Sequence, residues 1–242
     1  MKGTTPAGAA TEREASEWVR AMFGRVAHRY DLANHLLSFN LDRYWRARTV
    51  SSVREVLRAP GSKTLDLCCG TGDLLLALAA GGGVVWGSDF CHPMLTSAAE
   101  KLSRSGLRSR LFEGDALQIP ARDGSFDLVT VAFGFRNLAN YRKGLEEMRR
   151  VIRPGGMVAI LEFSQPPHSL FAGLYNWYSR HVLPALGGAL SGSKEAYAYL
   201  PQSVRKFPGA EELASQMREV GYRNVSFERI TGGIVCLHLG EC

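Results

Sequence analysis

Long hydrophobic runs are missing from this 242-residue chain. No window approaches the roughly 20 apolar residues that a membrane-spanning helix needs, so any membrane contact is expected to be peripheral. From Met1 to about Arg13 the residues are small and polar, without the apolar stretch of a secretion signal. Glu12, Glu14 and Glu17 speak against a transit peptide as well. Cysteine is scarce: Cys68, Cys69, Cys91, Cys236 and Cys242 are odd in number and form no C-x-x-C pair, which points to neither a disulfide framework nor a zinc site. The expectation is a cytoplasmic protein without a metal. Dense basic tracts are also absent. The formal charge of +6 is dispersed, with only short groups such as Arg149, Arg150 and Arg153, which argues against nucleic acid and leaves an anionic membrane surface open.

What is present has ordinary globular proportions, 45% hydrophobic and 21% charged, and a length suited to one α/β domain. From Thr11 to about Ala59 apolar residues recur at helical spacing (Trp18, Met22, Phe23, Val26, then Leu32, Leu36, Leu37, Leu41, Trp45 and Val53), which predicts a helical N-terminal cover over 1–59. Pro60-Gly61 punctuates it. Strand-like runs at 63–67, 84–88, 110–113, 126–131 and 157–163 then alternate with helical patterns at 74–80, 93–104 and 141–152, predicting a parallel sheet with helices on both faces over 60–163. The aromatic-rich stretch 164–207, with Phe171, Tyr175, Trp177, Tyr178, Tyr197 and Tyr199, reads as a helical insertion. Over 208–242, a helix at 211–220 precedes strands at 225–230 and 234–239, joined at Gly232-Gly233 in a hairpin suited to a sheet edge. The whole is expected to be one domain, and its oligomeric state is left open.

The segment Leu65-Asp66-Leu67-Cys68-Cys69-Gly70-Thr71-Gly72-Asp73 carries a strand into a G-x-G turn at the start of a helix, where residues without a Cβ let a ligand approach the backbone. The dinucleotide fingerprint is incomplete, because its third glycine is Leu75. Asp66, just before the turn, would repel a pyrophosphate but suits the ammonium of a methionine moiety, so the sign of its charge favours S-adenosylmethionine over NAD. Asp89, at the end of the second strand, is placed for ribose hydroxyls or, alternatively, to cap the helix at Pro93. Asp115 is placed to accept the amino group of an adenine, or is a plain loop residue.

Taken together, the acidic strand, G-x-G turn, acids after strands two and three, and the turn Arg153-Pro154-Gly155-Gly156 resemble the class I methyltransferase pattern. Three further stretches resemble the ubiquinone/menaquinone biosynthesis C-methyltransferase family over nearly the whole chain. They are Phe23-x-x-Val26-Ala27-x-x-Tyr30-Asp31-x-x-Asn34-x-x-Leu37-Ser38 with Trp45-Arg46, then Phe133-Gly134-Phe135-Arg136-Asn137-Leu138, and Arg150 through Glu162-Phe163-Ser164. Departures are Ala33, Asp42, Arg153 and Ala132, the last standing where some relatives carry a cofactor-binding serine. The resemblance implies a Rossmann-like fold with a mostly parallel seven-stranded sheet. It also implies S-adenosylmethionine as cofactor, contacted by Thr71, Asp89, Asp115 and the Ala116 backbone, and a prenylated quinol methylated on a ring carbon, with demethylmenaquinol favoured over a benzoquinol.

For such a reaction Arg136 is too basic to accept a proton readily, but its charge suits a developing phenolate or the orientation of a water, with Asn137 in support. A structural carboxylate partner is the competing reading of Arg136. Tyr30, His28 and His35 lie in the cover and His181 in the insertion. The stripe Phe171, Leu174, Tyr175 and Tyr178 suits core packing or a prenyl channel, and Arg180 and Lys194 suit an anionic lipid surface. Open alternatives are another small-molecule methyltransferase, an NAD oxidoreductase, and a noncatalytic cofactor-binding subunit of a quinone-synthesis assembly.

Overall fold

The computed structural model describes residues 3–6, 8–167, 173 and 194–242. Helix α1 (Glu12–Val26) starts at a reciprocal cap: Glu14 N–H donates to Thr11 Oγ1 at 3.2 Å, and Thr11 N–H donates to the Glu14 carboxylate at 3.3 Å. Its buried residues Ala15, Val19, Met22 and Val26 form one helical face. The expected helical cover is divided: α2 (Tyr30–Leu37), α3 (Leu41–Ser52) and α4 (Arg54–Arg58) follow a 3-10 turn at Ala27–Arg29. Phe39 and Asn40, both at positive φ (+53° and +59°), make the sharp reversal between α2 and α3.

The α/β core runs β1 (Lys63–Leu67), α5 (Asp73–Ala80), β2 (Val84–Asp89), α6 (His92–Ser105), β3 (Arg110–Glu113), β4 (Phe126–Ala132), α7 (Tyr141–Val151) and β5 (Ile152–Phe163). Then come α8 (Lys194–Lys206), α9 (Ala210–Glu219), β6 (Arg223–Ile230) and β7 (Val235–Glu241). The seven strands lie in the order β3-β2-β1-β4-β5-β7-β6, parallel from β3 to β5, with β7 antiparallel to both neighbours. The sheet is the mostly parallel one expected, and the C-terminal hairpin closes one edge through a 3-10 turn at Thr231–Gly233. The Arg153-Pro-Gly-Gly156 turn does not precede β5 but interrupts it: Phe126 pairs with Ile152, and the ladder resumes at Leu128 with Met157.

Alternation along the central strands feeds two cores. Val129, Val131 and Ile160 pack with Leu145 and Met148 of α7 and Leu213 and Met217 of α9. Leu128, Ala159 and Leu161 point the other way, against Trp45, Leu57, Leu75 and Leu78. The cover therefore shares a core with α5, the helix that follows the glycine turn. Strand order reverses between β1 and β4, which opens a crevice at the strands' carboxyl ends. The aromatic stripe, Trp177, Arg180 and His181 lie outside the described residues, as does most of the expected insertion. Leu128 is fully buried at the centre of the sheet. Leu128→Ala is expected to lower stability by about 2–5 kcal/mol, read as a shift in the denaturant midpoint.

Candidate active site

The crevice is built on backbone that most residues avoid. Cys68, Gly70 and Gly72 all take positive φ (+53°, +54° and +89°), so the chain leaving β1 curls back over its own strand. A Cβ added at Gly70 would meet nothing within 4 Å, whereas at Gly134 it would lie 2.4 Å from Cys68 Cβ. Gly134 thus lets the end of β4 close against the strained Cys68. Tyr30, Asp66, Gly70, Thr71, Asp89, Asp115, Ala116 and Asn137 line one pocket here. Gly72 sits behind the turn as the N-cap of α5, and Arg136 lies behind the pocket wall.

The Asp66 carboxylate is 1% exposed. Its Oδ1 accepts the Thr130 hydroxyl at 2.8 Å, while Oδ2 accepts no hydrogen bond from any described residue. Burial pushes this carboxyl up to about 7, against the pull of Thr130 and the Arg46 charge. Asp66 lines the pocket, and a buried carboxylate oxygen without a partner suits a cationic or hydrogen-bond-donating ligand. Asp89 lines the pocket but is not the cap of α6, whose N-cap is Cys91 without a side-chain bond; its oxygens accept the Gly70 and Cys91 N–H groups, each at 2.9 Å, stitching the turn to the residue before α6. Burial pushes Asp89 up to about 6, while the backbone donors Cys91 and Gly70 pull it back. Asp115 Oδ1 accepts the Leu117 N–H at 2.8 Å, bending the loop that brings Ala116 into the wall.

Arg136 is held away from the pocket. Its guanidinium pairs with Glu162 at 2.8 Å and donates to the Phe133 carbonyl at 2.6 Å, and its charge lies 5.4 Å from the Phe163 ring centre. The backbone N–H of Arg136 donates to Glu162 as well, at 3.1 Å. The geometry is that of the carboxylate-partner reading, and Phe133, itself at φ +59°, is what the pair holds in place. Burial raises the Tyr30 hydroxyl above its ordinary range, while the Arg136 charge and a hydrogen bond with Asn34 pull it down. His28 is exposed, and His181 lies outside the described residues.

The sequence model of the ubiE/COQ5 methyltransferase family matches residues 10–241. The chain belongs to this family. It is 48% identical over 222 residues to the demethylmenaquinone methyltransferase of Thermus thermophilus, covering 91% of this chain and 99% of that protein. The protein of the same name from Deinococcus radiodurans is 42% identical over 232 residues, 95% of each chain. Among solved structures, a SAM-dependent methyltransferase from Thermotoga maritima superposes with a TM-score of 0.64 at 16% identity, over 91% of this chain and 98% of that one. Another from Aquifex aeolicus gives 0.58 at 21% identity, over 79% and 88%. The fold is that of the class I methyltransferases.

In this ubiE/COQ5 family member Asp31 and Arg46 of the N-terminal signature join His35, Asp42, Thr71, Asp73 and Lys101 in one charged assembly, which sequence reasoning missed. Lys101 Nζ lies 2.6 Å from both Asp31 of α2 and Asp73 of α5, and 3.1 Å from the Thr71 hydroxyl in the glycine turn. Arg46 Nη1 pairs with Asp42 at 2.5 Å, Arg46 Nη2 lies 3.7 Å from Asp73, and His35 Nδ1 lies 2.7 Å from Asp42. Only the Asp42/Arg46 spacing, one helical turn, signalled any of this in advance. His35, Asp42 and Asp73 lie close enough together to suggest a cation site, but Arg46 and Lys101 already supply the positive charge.

Burial opposes ionisation of Asp73, but Arg46 and Lys101 outweigh it and hold the carboxyl below its usual range. The stability that the Asp73 pairing contributes is therefore present above the ordinary carboxylate range, about 3.9, and is lost as the folded protein is acidified through the lowered Asp73 value. Lys101→Met is expected to speed amide exchange in α2 by about tenfold while leaving α7 unchanged, as followed by hydrogen–deuterium exchange.

Proposed function

We infer that this chain is an S-adenosylmethionine-dependent C-methyltransferase that converts demethylmenaquinol, a prenylated naphthoquinol, to menaquinol. The observation that carries the acceptor is the near full-length likeness to demethylmenaquinone methyltransferases. The residues present fit the cofactor. Asp66 offers the buried, unmet carboxylate oxygen that an ammonium requires, Gly70 leaves its side of the turn open, and Asp89 and Asp115 keep acceptor capacity in the pocket. In this reading Asp66, Gly70, Thr71, Asp89, Asp115 and Ala116 hold the cofactor, with Gly72 setting the turn.

When bound, S-adenosylmethionine supplies a methyl group already activated by sulfonium charge, so the chain's contribution is alignment, exclusion of water and proton handling. Tyr30 and Asn137 reach the pocket and are assigned to the ring oxygens of the acceptor. Arg136 is assigned a positioning role: paired with Glu162, it fixes the Phe133 carbonyl and places positive charge near the Tyr30 hydroxyl. One net proton leaves for each methyl transferred, and a hydroxyl hydrogen-bonded beside a fixed positive charge lowers the cost of phenolate character on the ring.

The acceptor's prenyl tail belongs in a bilayer, and the cover offers a surface for one. Leu32, Leu36, Leu41 and Tyr44 are exposed on α2 and α3 beside the exposed Arg43, while the carboxylates of Asp31 and Asp42 are paired inward. Peripheral contact with an anionic membrane face, in the cytoplasm, follows from this reading.

The deciding experiment follows labelled methyl transfer to chemically reduced demethylmenaquinol and to a reduced benzoquinol analogue, in vesicles with and without anionic lipid, with mass spectrometry of the product. A ring-carbon methyl on the naphthoquinol, formed faster on anionic vesicles, is expected. Methylation of neither acceptor overturns the assignment, and equal rates on neutral vesicles remove the membrane contact.

Asp66 titrates oppositely to a salt-bridged carboxylate. Its folded-state value near 7 exceeds the ordinary value of about 3.9, so ionisation costs the unliganded protein stability as pH rises between the two. A cationic ligand reverses that cost. Calorimetry is expected to show S-adenosylmethionine affinity falling as pH drops below about 7, by up to about tenfold per unit, and Asp66→Asn is expected to bind weakly with no such dependence.

A further inference from the structure

Residues 3–6 lie as a strap against the pocket wall. Thr4 N–H donates to the Leu138 carbonyl at 2.8 Å, and Lys206 Nζ, at the end of α8, donates to the Thr5 carbonyl and hydroxyl, each at 3.0 Å. At Gly3 the approach is so close that an added Cβ would fall 2.1 Å from the Ala139 carbonyl carbon. Leu138 and Ala139, the residues beneath the strap, line the pocket beside Asn137. The Thr4 side chain is buried, with its hydroxyl 2.6 Å from Tyr199 Oη, and the Tyr199 hydroxyl donates to Asn137 Oδ1 at 3.1 Å.

We propose that Thr4 and Tyr199 are positioning residues that determine which end of the Asn137 amide faces the acceptor ring. This rests on the assignment of Asn137 to that ring. A carboxamide presents one accepting oxygen and two N–H donors, and turning it over exchanges them. The single Tyr199 proton goes to Asn137 Oδ1, which leaves the Tyr199 oxygen to accept from Thr4. The three groups thus form one directed chain, Thr4 to Tyr199 to Asn137. Burial raises the Tyr199 hydroxyl above its ordinary range, so it keeps the proton it donates.

With Oδ1 engaged, Asn137 Nδ2 has one N–H for the Phe133 carbonyl, 3.4 Å away, and a second for a pocket ligand. The ligand group it fits is a phenolic oxygen acquiring negative charge. The reversed amide would set its own oxygen against that charge.

Steady-state kinetics with the reduced acceptor, together with cofactor binding and melting temperature, test this in the full chain. Thr4→Val and Tyr199→Phe are expected to lower kcat/KM for the acceptor about five- to tenfold, the loss of one oriented hydrogen bond, with S-adenosylmethionine affinity unchanged. Thr4→Ser, which keeps the hydroxyl, restores the rate, and Gly3→Ala, which must lift the strap, reproduces the Thr4→Val loss. In an Asn137→Ala background, Tyr199→Phe adds no further loss.

If Asn137→Ala is slow while Thr4→Val and Tyr199→Phe keep the unmodified rate, or if their losses add fully to that of Asn137→Ala, the positioning role is overturned and the assignment of Asn137 stands. Normal turnover by Asn137→Ala removes that assignment, and the positioning role with it.

Discussion

Over the pocket, α2 is anchored by one ammonium group, Lys101, which sits between carboxylates from two parts of the chain, Asp31 on α2 and Asp73 on α5, and also bonds Thr71. The Thr71 hydroxyl also donates directly to Asp31, and His35 of α2 lies 3.9 Å from Asp73. Helix α5 belongs to the sheet core through Leu75 and Leu78, whereas α2 buries little of itself and exposes Leu32 and Leu36. A helix of eight residues with so small a buried face is marginal alone. Charge placed half out of solvent supplies what apolar burial does not, and at that depth attraction between groups less than 3 Å apart is only partly screened.

Two buried carboxylates at the same crevice have opposite surroundings. Asp89 has both oxygens engaged by backbone N–H groups and serves the turn as much as the pocket. Asp66 has one oxygen met by Thr130 and the other unmet, and its ionisation is correspondingly costly until a ligand arrives. The first shapes the site whether or not a ligand is bound. The second leaves a buried acid whose charge no described residue pairs, a cost that a cationic or hydrogen-bond-donating group placed against it would offset.

Behind the wall, Arg136 and Glu162 neutralise one another and direct their hydrogen bonds at backbone. Three of them, to the Phe133 carbonyl and from the Arg136 and Phe163 N–H groups, fall on residues next to the pocket or on the end of β5. A buried ion pair of this kind is weak evidence for stability, since its desolvation offsets most of its attraction. What it does supply is geometry: Phe133 at positive φ and the 3-10 turn Phe135–Asn137 are held by it, and Asn137 reaches the pocket as a consequence.

The sequence alone determined the elements, their mostly parallel sheet, and the acids and glycines of the crevice. Each of these is carried by local signals: alternating or helical periodicity, residues free of a Cβ, and carboxylates at the ends of strands. The motif around Phe133 to Leu138 was visible too, but not the direction its arginine faces. That depended on Glu162, 26 residues away, and no spacing rule links the two. Lys101 between Asp31 and Asp73, and the chain from Thr4 through Tyr199 to Asn137, were likewise decided only in three dimensions. They join groups separated by 28 to 195 positions. Periodicity reports which side of an element is buried, whereas the partner of a charged or hydroxyl group depends on which elements the folded sheet brings together.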